Sequence, residues 1–252
     1  MDKETITFTF GDSGENHIGM QIIGKKAKEG FSYDDIIKSK ENFDKDYKTE
    51  LYKLSDLIEQ DVTDAYVLVI RNFINEEDSK KLYEEHTSYD WDAKYYCKRR
   101  KKVLNKHARR NVMFSDEKQE PDYENGKGTI IAWKDIPVLY SVRERLEKRV
   151  GDKAKNMICE GNRYYDISKT GIGWHGDTER RKVIGVRIGA TIPLKFKWFH
   201  RSKSCGDILE IDLNNGDAYI MSEKACGFDW RKSSIYTLRH CAGSEKYTKL
   251  TK

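Results

Sequence analysis

The chain has 252 residues, of which 35% are charged and 37% hydrophobic, and its formal net charge is +5. That length suits one large domain, or a catalytic domain with an added module, and is enough to bury a substantial core. An aromatic content of 12% argues against general disorder, no apolar run approaches the roughly 20 residues that cross a bilayer, and five cysteines without a CxxC pair give no disulfide or zinc framework.

Taken in chain order, residues 1–60 read as a strand, "TITFTF", followed by charged helix in "YDDIIKSKENF" and "TELYKLSDLIE". They form an accessory segment with no role legible in their chemistry. The N-terminus alternates polar with apolar residues and carries an acid at its second position, which is neither a signal nor a transit pattern. Free thiols and no leader predict an intracellular, reducing compartment, cytoplasm or nucleus. "AYVLVIRNFI" at 65–74 is apolar and β-branched and predicts a buried strand. "NEEDSKKLYEEH" predicts a surface helix capped by Asn75, with acids in its first turn and Leu82 as its apolar stripe.

The stretch 94–110 holds nine cations and no acid: Lys94, Lys98, Arg99, Arg100, Lys101, Lys102, Lys106, Arg109 and Arg110. Tyr95, Tyr96 and His107 lie among them. "IPVLYSVRERLEKRV" at 136–150 repeats Val138, Leu139, Val142, Leu146 and Val150 at helical spacing. From about 157 the pattern changes to short strands: "MICEGNRYY", "TGIGWHGD", "KVIGVRIGATIPLKFKWF", "DILEIDL", "DAYIM", "IYTLRHCA" and "KYTKL". Gly, Asn, Asp and Ser turns separate them, as in a β-sandwich or barrel. The fold class is α+β, with the N-terminal helices packed on one side of the β-rich half.

Within "GIGWHGDTE", residues 171–179, His175 and Asp177 stand at i and i+2. On a strand both project from one face and can share a metal ion. Two further histidines follow. His200 lies in a charged turn, "FHRSKSCGD", whereas His240 ends the apolar strand "SSIYTLRH" and is the better third ligand. Two histidines and one carboxylate form the facial triad of non-haem Fe(II) oxygenases, which leaves coordination positions open. Zinc competes, but more often takes three histidines or adds cysteine. Taken without partners, an HxD is more often a satisfied turn.

"NRYYDISKTGIGWHGDTE" at 162–179 and "NNGDAYIM" at 214–221 resemble the Fe(II)/2-oxoglutarate-dependent dioxygenases, specifically their AlkB-like branch. "ARRNVMFSDEKQEPDYENGKG" at 108–128 resembles that branch's substrate-recognition segment more loosely. The resemblance spans residues 65–252. It implies a double-stranded β-helix (jelly-roll) core, with Fe(II) held by His175, Asp177 and His240, and O2 and 2-oxoglutarate as co-substrates. It implies that Asn162 and Tyr164 bond the 2-oxoglutarate, that Glu179 recognises a substrate base, and that Arg109 and Arg110 reach phosphates or substrate. The branch places arginines after its distal histidine, and one of them pairs with the distal carboxylate. This chain has only Lys246, Lys249 and Lys252 there. Lys249 is the first choice, by likeness to the prolyl-hydroxylase-like branch, and Lys246 the second. An alternative alignment makes Arg239 that arginine, puts Trp230 at the distal ligand position and leaves the metal site incomplete.

The resemblance implies oxidation of a C–H bond while 2-oxoglutarate is decarboxylated to succinate. On an N-methyl group this releases formaldehyde, a nucleic-acid modification or repair reaction. Cations such as Arg99 and Arg100, interleaved with aromatics, suit phosphates and unpaired bases, so single-stranded nucleic acid or a flipped base is the expected partner, with no membrane. The rival expectations are a peptide hydroxylase, favoured by the lysine after His240, and a non-catalytic nucleic-acid-binding module of the same fold.

Overall fold

The computed structural model describes residues 3–250. Its first strand, β1 (Thr5–Gly11), follows the period of two, with Ile6, Phe8 and Phe10 on one face and Thr5, Thr7 and Thr9 on the other. A small hairpin follows, β2 (Ser13–Glu15) and β3 (Ile22–Gly24). Helix α1 (Tyr33–Phe43) begins at a capping box, in which Ser32 and Asp35 satisfy each other's backbone N–H groups. β4 (Thr49–Lys53), β5 (Tyr66–Ile70) and α2 (Glu76–Glu85) come next, and the Asn75 side chain accepts from Asp78 N at 2.8 Å, as the cap reading predicts. β6 (Lys94–Cys97) and β7 (Lys102–Asn105) form a hairpin from the basic run, followed by β8 (Arg110–Ser115), β9 (Ile130–Ala132) and α3 (Pro137–Val150).

The C-terminal half is β10 (Ile158–Tyr164), β11 (Gly171–His175), β12 (Val183–Gly189), β13 (Ile192–His200), β14 (Lys203–Leu213), β15 (Ala218–Met221), α4 (Glu223–Cys226), β16 (Thr237–Gly243) and α5 (Glu245–Thr248). The strands build an eight-stranded sheet, β4-β5-β15-β12-β1-β10-β8-β9, and a four-stranded sheet, β11-β16-β13-β14. Every pairing in the two sheets is antiparallel except that of β8 with β9. The fold is mixed and β-rich, with large antiparallel sheets.

The C-terminal strands nest. β13 pairs with β14, β12 with β15, and β11 with β16, each pair enclosing the one before. The next strand out, β10, pairs with β1 rather than with anything after β16. β1 therefore sits at the centre of the large sheet, between β10 and β12.

One face of the large sheet, with Ile6, Phe8, Phe10, Ile184, Val186 and Ile188, shares a core with Ile36 and Phe43 of α1, Leu82 of α2 and Leu139, Val142 and Leu146 of α3. The helices cover that side, as expected. The opposite face turns toward the small sheet. There Val67, Val69, Val183, Leu194, Phe196, Trp198 and Leu238 pack as a second apolar core. Polar side chains line the remainder of the space between the sheets, around a cavity.

Three expectations need correcting. The described part of the 1–60 segment, from residue 3 on, does not stand apart from the rest as an accessory segment: β1 is a central strand, β4 an edge strand, and α1 packs on the common core. "TELYKLSDLIE" is not helix. Its first part pairs with β5, Leu51 opposite Leu68, and Leu54–Leu57 form a 3-10 turn whose Leu54 carbonyl accepts from Trp198 Nε1 at 2.8 Å. Edge pairing overrides its weak helical spacing. "KYTKL" is no strand. Gly243, at φ +106°, turns the chain out of β16, and α5 lies against β11, where Trp174 Nε1 donates to Thr248 O at 2.9 Å.

Candidate metal centre

His175 is the last residue of β11, and its direct cross-strand neighbour on β16 is His240. Their ring centroids are 4.4 Å apart. Asp177 lies just past the end of β11, not on it, and its N–H donates to Cys226 O at 2.9 Å. Gly176 permits this approach, because a Cβ there would fall 2.2 Å from Gly227 O. Asp177 Oδ1 stands 3.6 Å from His175 Nε2 and 3.9 Å from His240 Nε2. One ligand atom from each of the three residues lies within 4.8 Å of the others.

His175 Nδ1 lies 2.8 Å from Gly173 O, so this nitrogen carries the hydrogen and Nε2 keeps its lone pair toward Asp177. Burial pushes the His175 pKa down to about 4, with the Arg109 charge adding to the effect. Burial and His175 push His240 down to about 3. Both rings are neutral at pH 7, the form that binds metals.

Arg180 is 3% exposed and collects the neighbouring acids. It bonds Glu160, donates to Glu179 at 2.9 Å, and lies 3.8 Å from Asp177 Oδ2. Glu15, from β2, joins this cluster, and among the described residues it has no ion pair of its own. Burial and the adjacent Glu179 push its pKa up to about 7.

These groups line one cavity of about 850 Å³ between the sheets. The large-sheet wall carries Asn162 and Tyr164 of β10, Thr7 and Thr9 of β1, Arg187 of β12 and Tyr219 of β15. Asn162 Oδ1 accepts from Arg109 Nε at 2.5 Å and Asn111 Nδ2 at 2.6 Å. Tyr219 lies across β12 because position 185 is glycine: a Cβ there would come within 2.1 Å of Tyr219 Cζ.

The structure thus brings His175, Asp177, His240, Asn162, Tyr164, Glu179 and Arg109 to one cavity. It does not bring the others. Lys249 and Lys246 are exposed and do not line it. Arg239 alternates with His240 on β16 and stacks outside the small sheet, 4.1 Å from the Phe199 ring centroid and 5.1 Å from that of Trp230. Arg110, at the start of β8, stacks on Tyr165 at 5.2 Å. Arg99 and Arg100 are exposed between β6 and β7. Lys106 leaves the cationic surface, since it is buried and donates to Asn16 Oδ1 at 2.5 Å. His200 is half-buried and stacks on Tyr236 at 4.6 Å.

Sequence reasoning missed Thr7, Glu15, Glu160, Arg180, Arg187 and Tyr219. Two carried a signal: "TITFTF" has a polar face, and "VIGVRIG" has a single arginine inside an apolar strand.

No family model matches the chain. The chain is 45% identical over 253 residues to the uncharacterized protein R156 of Acanthamoeba polyphaga mimivirus, with 98% of each chain covered.

Proposed function

The chain belongs to the same family as the mimivirus protein R156, and we propose that it is an Fe(II)- and 2-oxoglutarate-dependent dioxygenase acting on a nucleic-acid base. The observation that carries this reading is the direct pairing of His175 with His240, with Asp177 two residues on, at the polar end of a sandwich interior. The nested strand pairs support a jelly-roll core in which β1 supplies the eighth strand.

The donor set fits Fe(II), since it has two neutral imidazoles and one carboxylate with convergent ligand atoms. The wall opposite fits an oxoacid with a second carboxylate, because Arg187 is buried there and among the described residues has no acid partner. With both bound, the centre supplies O2-dependent oxidation of a C–H bond coupled to decarboxylation of 2-oxoglutarate to succinate.

The chain's own residues prepare that chemistry. Gly173 O orients His175, and Arg180 stands beside Asp177 while bonding Glu160 and Glu179. Asn111 and Arg109 hold Asn162 on the cavity wall. Ile18 and Ile22, 62% and 54% exposed, stand at the mouth with Lys26, Trp174, Trp230 and Arg231.

The nucleic-acid reading draws support from where the basic hairpin lies. Tyr95 of β6 stacks on His17 at 3.7 Å, and the Lys98 side chain packs beside Gly19. Both contacts join the hairpin to the segment that forms the cavity's mouth. The peptide-hydroxylase reading rested on Lys249, which lies off the cavity. The test is succinate formation by the Fe(II)-loaded protein with N-methylated single-stranded oligonucleotides and with peptides. Turnover stimulated by the oligonucleotide alone is expected; stimulation by peptide alone would refute the substrate class.

A further inference from the structure

We infer that Thr7 and Arg187, adjacent residues of β1 and β12, form the anion-binding end of the cavity and take the distal carboxylate of a dicarboxylate co-substrate. This deepens the dioxygenase reading and rests on it for the identity of the ligand.

Arg187 is 1% exposed inside an otherwise apolar strand. Its guanidinium makes one hydrogen bond, from Nη1 to Ile192 O at 2.5 Å, and its Nε is buried without a partner. Among the described residues it has no ion pair. The nearby Asp217 is committed elsewhere: its carboxylate accepts from Arg71 at 2.7 Å and from the N–H groups of Asn72 and Asn214 at 3.0 Å. Arginine keeps its charge in a protein, so it cannot escape burial by losing a proton. A buried guanidinium without a counter-ion is strongly unfavourable, and an anionic ligand relieves it.

Thr7 is the direct neighbour of Arg187 across β1 and β12, and of Asn162 across β1 and β10. Its Oγ1 is also buried without a partner. Two orphaned polar groups therefore sit side by side on one wall of the metal cavity. Tyr164 and Tyr219 line the same wall, and burial raises both phenols, which keeps them protonated as donors. Each of these groups is a donor suited to a carboxylate, and the guanidinium suits it best.

This placement answers the missing arginine after His240. The central strand between β10 and β12 is the N-terminal β1, which offers threonines in place of a cation. The cation comes from β12 instead.

The test is calorimetric titration of the full-length, Mn(II)-loaded protein with 2-oxoglutarate and with 2-oxopentanoate, which has a methyl group in place of the distal carboxyl. The wild type should prefer 2-oxoglutarate by about tenfold to a hundredfold, the range of one or two charge-assisted hydrogen bonds. Arg187→Met should abolish the preference while still binding both oxoacids weakly, and Arg187→Lys should keep part of it. Thr7→Val, close in shape, should reduce it several-fold and carries the test if Arg187→Met does not fold. Lys249→Ala should leave it intact. Preference retained in Arg187→Met or Thr7→Val, or lost in Lys249→Ala, overturns the assignment. A wild type that binds both acids equally overturns it while sparing the metal centre, whereas one that binds neither overturns the dioxygenase reading as well.

Discussion

His175 and His240 face each other as paired residues of β11 and β16, with Asp177 Oδ1 3.6 Å from one Nε2 and 3.9 Å from the other. Sheet register, not loop conformation, sets the two imidazoles together. A rigid element is the more precise platform for a metal site.

Arg180 holds the acids around this pair. Replacing it by Gln leaves the buried Glu160 and the half-buried Glu179 without their guanidinium. Arg180→Gln should lose about 3–5 kcal/mol of stability, the usual cost of breaking a buried ion pair from one side. Urea unfolding reads this directly, and an unchanged midpoint would show that the cluster is paired in some other way.

Glu15 gives a pH signature. Its folded pKa, about 7, lies above the ordinary value of 4.5. Between those values the folded state binds more protons at this site than the unfolded chain, so its contribution to stability falls as pH rises. Glu15→Gln should gain stability relative to wild type from about pH 4.5 to about pH 7, with the difference level outside that window. A difference independent of pH would show that folding leaves the Glu15 pKa at its unfolded value.

The basic hairpin carries the nucleic-acid reading. Arg99, Arg100, Lys101 and Lys102 are exposed, so reversing all four to Glu should leave the fold intact. Single-strand binding should weaken steeply, and the salt dependence should flatten by about 0.7 in log–log slope for each phosphate no longer neutralised. Fluorescence anisotropy across a salt series measures both. Binding that ignores the reversal would move the interface elsewhere.

The candidate ligands were legible in the sequence as an HxD pair followed by His240 in an apolar strand. The period of two accounts only for His175: Asp177 lies past the end of β11 and is placed by its N–H bond to Cys226 O. α2 was legible from its Asn75 cap, α3 from its spacing and α1 only as a charged helical stretch. What the sequence concealed depends on partners far along the chain. Thr7 and Arg187 become neighbours only because β1 enters the sheet beside β12. Lys106 reads as one more surface cation until Asn16 encloses it. Residues 49–53 have helix-compatible composition, and pairing with β5 decides their form.

Gly185 illustrates the same dependence and gives a further expectation. A methyl group there must push aside the Tyr219 ring, which cannot retreat into solvent because it is buried. Gly185→Ala should cost about 1–3 kcal/mol, the range for overpacking. An alanine variant as stable as wild type would mean that the ring has another place to go.

The central claim is the iron site, and anaerobic titration with Fe(II) and 2-oxoglutarate tests it most directly. The wild type should develop the weak visible charge-transfer band of the chelate, and His240→Ala should not. No band in the wild type, or a band that survives in His240→Ala, would contradict the assignment of His175, Asp177 and His240 as the iron ligands.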